Sequence, residues 1–290
     1  MMYCVSNIMR KAVTTVDAYD GVRKAQRTMD ENNVSCLPVL HNGKLVGVLT
    51  CGDIRKTHPN RIVADAMTKR VISVAPETSL WQAKRLFEQY EIKTLLVQEN
   101  DRLVGLVNKS RLYAELGKHY DLLTGLYRSE YIYQMGVELL EKGSAISVIF
   151  IDLNEFGQID KAYGHTQGDL ILKEVAVLLQ TYAPADAYLC RFGGDEFTLL
   201  TGYDPAKCEA LAEVLLKAIA NHKFSNNIKI TAAAGLAASR QQNLITSNPR
   251  SMVINLVNSA SLASTRAKQE KLPLVIAERY LASETAWESA

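Results

Sequence analysis

Displacing the 290-residue chain by 58 positions lays Met9–Ile54 on Met67–Leu112 without a gap. Twelve of the 46 pairs are identical, including Met9/Met67, Ala25/Ala83, Leu37/Leu95, Val39/Val97 and Leu45-Val46-Gly47 on Leu103-Val104-Gly105. Chance would give roughly three, so this stretch is a duplication, and any fold must accommodate two copies of one unit.

Both copies read alike. A short β-like entry (Val13–Val16; Val71–Val74) precedes an amphipathic helix (Gly21–Asn32; Ser79–Tyr90). Two strands follow, Leu37–Leu40 and Lys44–Leu49 in the first copy, joined by the turn His41-Asn42-Gly43; the second copy turns at Glu99-Asn100-Asp101. A further short helix begins near Gly52 and near Ser110. This β-α-β-β-α order, doubled, with the wording LPV…GKLVGVLTCGDI, resembles a tandem pair of CBS domains, with copies at 1–57 and 58–110. The resemblance implies a ligand-sensing module, and many such pairs bind adenosine nucleotides in clefts between the copies. The family signature GxxTxxD, whose hydroxyl meets phosphate and whose Asp meets ribose, is intact from Gly47 to Asp53. The second copy has Asn108 for the hydroxyl residue and Arg111 for the acid, and a guanidinium cannot accept from a ribose. One adenine-nucleotide site (ATP, ADP or AMP), built on Thr50 and Asp53, is therefore expected. Asp53 is also suited simply to capping the helix after it.

The composition is that of a soluble globular protein, 48% hydrophobic and 22% charged. The first 120 residues carry 18 Lys/Arg against 12 Asp/Glu and the remainder 15 against 19. Neither half has a basic stripe, which argues against nucleic acid as a partner. The five cysteines are scattered without a CxxC, the five histidines lack ligand spacing, and no apolar run reaches membrane-spanning length. The N-terminus lacks the apolar segment of a secretory signal. The expectation is a cytoplasmic protein with no membrane partner.

Beyond a helical linker at 111–120, where Leu112, Leu116 and Tyr120 recur at helical spacing, helices and strands alternate over 121–290. The linker stripe suits either a dimer axis or burial against its own domain. Helices are expected at Ser129–Glu141, Gly168–Tyr182, Pro205–Asn221 and Arg250–Glu270, with strands at Ala145–Leu153, Ile228–Ala237 and Leu274–Ala277. A hairpin joins Ala187–Phe192 to Phe197–Thr201 through Gly193 and Gly194. The fold class is α/β, a sandwich with a mixed sheet. Two adjacent carboxylates, Asp195 and Glu196, follow the glycines, and oxygen ligands on a rigid hairpin suit a hard divalent cation. Asp152 closes an apolar strand, placed either to share that cation or to cap the next helix.

Taken in order, Asp121-x-Leu123-Thr124-Gly125-Leu126, Phe150-Ile151-Asp152-Leu153-Asn154-x-Phe156, Gly164-His165-x-x-Gly168-Asp169, Arg191-Phe192-Gly193-Gly194-Asp195-Glu196-Phe197 and Ala267-Lys268 resemble the GGDEF family, diguanylate cyclases. The resemblance implies a palm-like fold related to nucleotidyl cyclases, which joins two GTP into cyclic di-GMP and releases two pyrophosphates. It implies Mg²⁺ or Mn²⁺ on Asp152, Asp195 and the Leu153 carbonyl, with Glu196 as second ligand or proton acceptor. Gly193 and Gly194 would admit the α-phosphate. Asp160 and Asp169, beside Phe156, would meet guanine, and Lys268 the γ-phosphate. One domain binds one GTP, so a homodimer is implied.

The chain departs from the family at Gly157, where a phosphate-side Lys is usual, at Asp160 for Asn, at Lys161 for an acid, and at Leu272 for Arg. The RxxD inhibition motif would fall at Pro184-x-x-Ala187 and is absent, so no product inhibition through that site is expected. Two lost cations leave a second reading open: a weak or inactive GGDEF domain that binds GTP or a protein under CBS control.

Overall fold

The computed structural model describes residues 3–239 and 248–277. The outer ends of the two outer expected domains, residues 1–2 and 278–290, lie outside them. The chain forms two compact units that divide between Lys118 and His119, and each is described by itself.

The first unit runs α1 (Val5–Ile8), β1 (Val16–Asp17), α2 (Val22–Asn32), β2 (Cys36–His41), β3 (Lys44–Thr50), α3 (Cys51–Lys56), α4 (Val63–Ala66), β4 (Ser73–Val74), α5 (Leu80–Gln89), β5 (Thr94–Glu99), β6 (Arg102–Asn108) and α6 (Lys109–Gly117). It holds two three-stranded sheets of identical order, β1-β2-β3 and β4-β5-β6, each with one parallel and one antiparallel pairing. Both hairpin turns place two residues at positive φ, Asn42 and Gly43 in one and Asn100 and Asp101 in the other. That is the type I′ geometry whose twist matches the flanking strands. Ser79, expected as the first helical residue, instead caps α5 by accepting from Gln82 N at 3.1 Å.

The copies are closed crosswise. Thr68, past α4, bridges Val48 of the first sheet, and Arg10, past α1, bridges Leu106 of the second. The repeat glycines make room for this. A Cβ on Gly47 would meet Met67 Sδ at 2.5 Å, and one on Gly105 would meet Met9 Sδ at 2.7 Å. Leu112 and Leu116 of α6 are buried within this unit. Tyr120, the third residue of the stripe, falls beyond α6 in the second unit, half-buried and bridged to Tyr127, so only the two leucines are taken up by the first unit.

The second unit runs β7 (Tyr127–Arg128), α7 (Glu130–Glu141), β8 (Ser147–Leu153), α8 (Phe156–Tyr163), α9 (His165–Tyr182), β9 (Tyr188–Gly193), β10 (Glu196–Thr201), α10 (Pro205–Asn221), β11 (Ala232–Ala238), α11 (Pro249–Glu270) and β12 (Leu274–Ile276). The mixed sheet has the order β12-β11-β8-β10-β9-β7, with the apolar β8 at its centre and antiparallel to both neighbours. Along β8, Ile149, Ile151 and Leu153 join the core under α9 and α10. Phe150 points the other way, edge-on to Phe192, which also meets Tyr133 of α7. This alternation buries both faces of a central strand.

Several expectations for this unit change. Strand β7 and helix α8 are added elements, β8 begins at Ser147 rather than Ala145, α9 begins at His165 rather than Gly168, and the turn expected at Gly193-Gly194 falls on Gly194-Asp195. The strand expected from Ile228 starts at Ala232, after a 3₁₀ turn at 225–227 and an irregular stretch over 228–231.

Candidate functional site

Asp152 reaches the sheet end on β8 and stands opposite Glu196 of β10 in the ladder. The β9–β10 connection is a two-residue turn, Gly194-Asp195, with Gly194 at φ +44. A glycine at the first central position is what such a tight hairpin needs. The Asp195 carbonyl accepts from Leu153 N at 3.3 Å, pinning the hairpin to the end of β8. A Cβ at Gly194 would meet open space, and one at Gly193 only an ordinary contact with Glu196 Oε2 at 3.7 Å. The backbone of the turn is thus approachable.

Three carboxylates therefore act on one another here. Burial raises the Asp152 pKa, the Lys268 contact opposes this, and Asp195 raises it further. Burial also raises Glu196, helped by the charges of Asp152 and Asp195 and opposed by Lys268. Lys268, near the end of α11, places Nζ 2.6 Å from Asp152 Oδ1 and 2.7 Å from the Leu153 carbonyl. As they stand, no three His, Cys, Asp or Glu side chains among the described residues converge closely enough to grip a metal. The donor types nevertheless fit a hard cation: half-buried carboxylates beside a strand-end carbonyl.

A clamp that the sequence reading did not single out holds the hairpin. Arg191 donates through Nε and Nη2 to the Gly194 carbonyl at 2.9 and 2.7 Å, and through Nη1 to Asp121 Oδ1 at 2.9 Å. Asp121 also accepts from the Thr124 amide and hydroxyl. Burial pushes the Asp121 carboxyl up, but the Thr124 and Arg191 bonds together hold it below its usual range. Both residues stand inside quoted motifs, and that was the available signal. Their pairing across 70 positions was not visible.

Asp160 lies on α8, with Phe156 buried at the helix start. Its Oδ2 pairs with His165 Nδ1 at 3.1 Å, while Oδ1 is buried without a hydrogen-bond partner among the described residues. A Cβ on Gly168 would fall 2.0 Å from that oxygen, so Asp160 leans over the α9 backbone next to exposed Asp169. A cavity of about 470 Å³ in this unit lies elsewhere, between α10 and β12, lined by Glu209, Leu216 and Leu274 among others.

In the first unit, Thr50 caps α3. Its hydroxyl accepts from Asp53 N at 3.2 Å, while Asp53 Oδ2 accepts from Thr50 N at 2.8 Å and the Thr50 hydroxyl at 2.6 Å. In this reciprocal capping box Thr50 is the N-cap and Asp53, the third residue of the helix, returns the bond, so the cap expected of Asp53 itself falls to Thr50. A cavity of about 110 Å³ sits at the degenerate signature instead, lined by Arg10, Ser35, Cys36 and Asn108 among others.

The sequence model described as "Diguanylate cyclase, GGDEF domain" matches residues 118–271. The chain belongs to the GGDEF family. The CBS domain model matches residues 5–59 and 63–118, ahead of the GGDEF domain. A bifunctional diguanylate cyclase/cyclic di-GMP phosphodiesterase, MucR of Pseudomonas aeruginosa, is 30% identical over 179 residues, 61% of this chain and 25% of its own length. The CBS domain-containing protein YhcV of Bacillus subtilis is 33% identical over 112 residues, 37% of this chain and 80% of its own. The coiled coil and GGDEF domain of DgcB from Caulobacter crescentus, solved with c-di-GMP, superposes with a TM-score of 0.50 at 17% identity. That match covers 68% of this chain and 94% of the other, and it shows the fold. The chain spans a quarter or less of the first curated relatives it matches. No helix among the described residues is long and apolar enough to cross a membrane.

Proposed function

We propose that the GGDEF domain condenses two GTP into cyclic di-GMP and that an adenine nucleotide at the CBS pair regulates it. The observation that carries this is the trio Asp152, Asp195 and Glu196, gathered at one sheet end beside a backbone turn open to approach. Oxygen donors of this kind suit Mg²⁺ or Mn²⁺ on Asp152, Asp195 and the Leu153 carbonyl, where the ion would offset phosphate charge.

The chain's own groups do the rest. Exposed Asp169 accepts from the N1 and N2 hydrogens of guanine, with Asp160 beside it as a further acceptor once its carboxylate turns from the α9 backbone. Lys268 meets the γ-phosphate, and Glu196 takes the proton of the attacking 3′-hydroxyl. The Gly193-Gly194 backbone lies along the α-phosphate. Each domain holds one GTP, so two chains face each other. The 3′-oxygen of each GTP bonds to the α-phosphorus of the other as that P–O bond to pyrophosphate breaks. In the first unit, Thr50 and Asp53 bind the adenine nucleotide, the capping box giving way to ribose.

A second reading, a GTP-binding or protein-binding domain with little turnover, draws on the missing cations. Leu272 is 44% exposed where the family has Arg, and Arg266 is tied to Glu270 at 2.7 Å. Purified protein with Mg²⁺ and GTP, with and without ATP, ADP or AMP, separates the two. Cyclic di-GMP that disappears in Asp195→Ala supports the cyclase. Bound GTP without product under every condition supports the binder. Asp53→Ala should weaken adenine-nucleotide binding in calorimetry, and unchanged affinity would remove that site assignment.

A further inference from the structure

Two of the oxygens assigned above to a divalent cation are already shared by one ammonium. Lys268 Nζ sits 2.6 Å from Asp152 Oδ1 and 2.7 Å from the Leu153 carbonyl. The backbone behind it is fixed. Ala267 is fully buried, and Ala260 and Ser264 of the same helix press on β11 so closely that a Cβ on Gly235 would meet the Ala260 carbonyl at 2.0 Å. The Lys268 side chain is 30% exposed, so the stem can swing while the helix cannot retreat.

A hard cation takes such oxygens at about 2.1 Å. An ammonium on the same two oxygens would then lie within van der Waals reach of a double positive charge, and half-burial leaves little screening. We infer that Lys268 and the divalent cation are alternative occupants of one place, so that metal enters only as the lysine is drawn off by the phosphate chain of the nucleotide. The inference rests on the GTP–metal reading above. Its consequence is an order of binding: metal arrives with the nucleotide rather than ahead of it. Lys268 thereby acquires a second role besides phosphate contact, guarding the site against free metal.

Mn²⁺ titration of the full chain, read by electron paramagnetic resonance, tests this without turnover. In the absence of nucleotide, Lys268→Met and Lys268→Gln should each bind Mn²⁺ about tenfold tighter than wild type. Lys268→Arg, which keeps the charge, should stay at the wild-type level. With α,β-methylene GTP, wild type should gain the tight Mn²⁺ site. Circular dichroism checks that each variant is folded, and the two neutral side chains differ enough that one serves if the other fails. If wild type gains Mn²⁺ with the analogue but neither neutral variant binds tighter without it, the exclusion is wrong and the site reading stands. If no form binds Mn²⁺ even with the analogue, the site reading falls and this inference with it.

Discussion

Glu196 faces Asp152 across the β8–β10 ladder and lies in the field of Asp195 as well, with no hydrogen bond among the described residues that favours its charged form. A carboxyl raised in the folded state costs stability above its folded pKa, and the cost disappears as pH falls below its ordinary value. Glu196→Gln should therefore raise the melting temperature by about 1–3 °C at neutral pH, with the gain vanishing in acid, while removing activity. A melting temperature that does not rise at neutral pH would contradict this. Asp121 has the opposite sign. Its folded pKa is lowered, so its contribution is complete above the ordinary aspartate range and fades as pH falls through the lowered value. Asp121→Asn should cost about 1–3 kcal/mol at neutral pH, the difference from wild type shrinking in acid denaturation series. Adjacency made the two hairpin acids legible in the sequence. Lys268 is different: its partners, Leu153 and Asp152, lie 115 and 116 residues away and are set by how α11 packs, which no local pattern encodes.

The β11–α11 pair is a tight backbone-to-backbone joint in the GGDEF domain. Ala232-Ala233-Ala234-Gly235 offers almost no side-chain volume, so the helix approaches until a Cβ at Gly235 would fall 2.0 Å from Ala260 O and 2.3 Å from Ser264 N. Backbone cannot give way as a side-chain tip can. Gly235→Ala should thus cost at least the roughly 1–3 kcal/mol of ordinary overpacking, read as a loss of cooperative unfolding or a sharply lower melting temperature. A wild-type melting curve would refute the close approach. Helix α10 was legible to the residue because Asp204 caps it, accepting from Lys207 N at 3.0 Å, and Pro205 opens it. Helix α8 was not. Its sequence FGQIDKAY holds a glycine and too few turns for an apolar period to show. The four-residue helices α1 and α4 are shorter still, and tertiary contacts rather than propensity hold them.

At the scale of the molecule, the 58-residue period and the packed unit do not coincide. The first sheet is closed by α4 and Met67, which belong to the second period, and the fully buried Val63 joins the core of the first copy. A fragment ending at residue 57 should accordingly be unfolded, whereas residues 1–118 should give a folded spectrum. Dispersed amide resonances from the short piece would overturn this. The duplication was plain from identities alone. The crossing was not, because each pair of contacting residues, Met9 with Gly105 and Met67 with Gly47, belongs to different periods. The crossing also imposes a timetable on synthesis. The first copy can close as soon as Thr68 has left the ribosome. Arg10 must wait for Leu106, which at 5–20 residues per second is a delay of roughly 5–20 s. During that interval Val5 and Ser6 can already bond the carbonyls of Thr78 and Pro76, but Met9 still lacks the Gly105 surface it packs on, so α1 is held from one side only until the second sheet emerges.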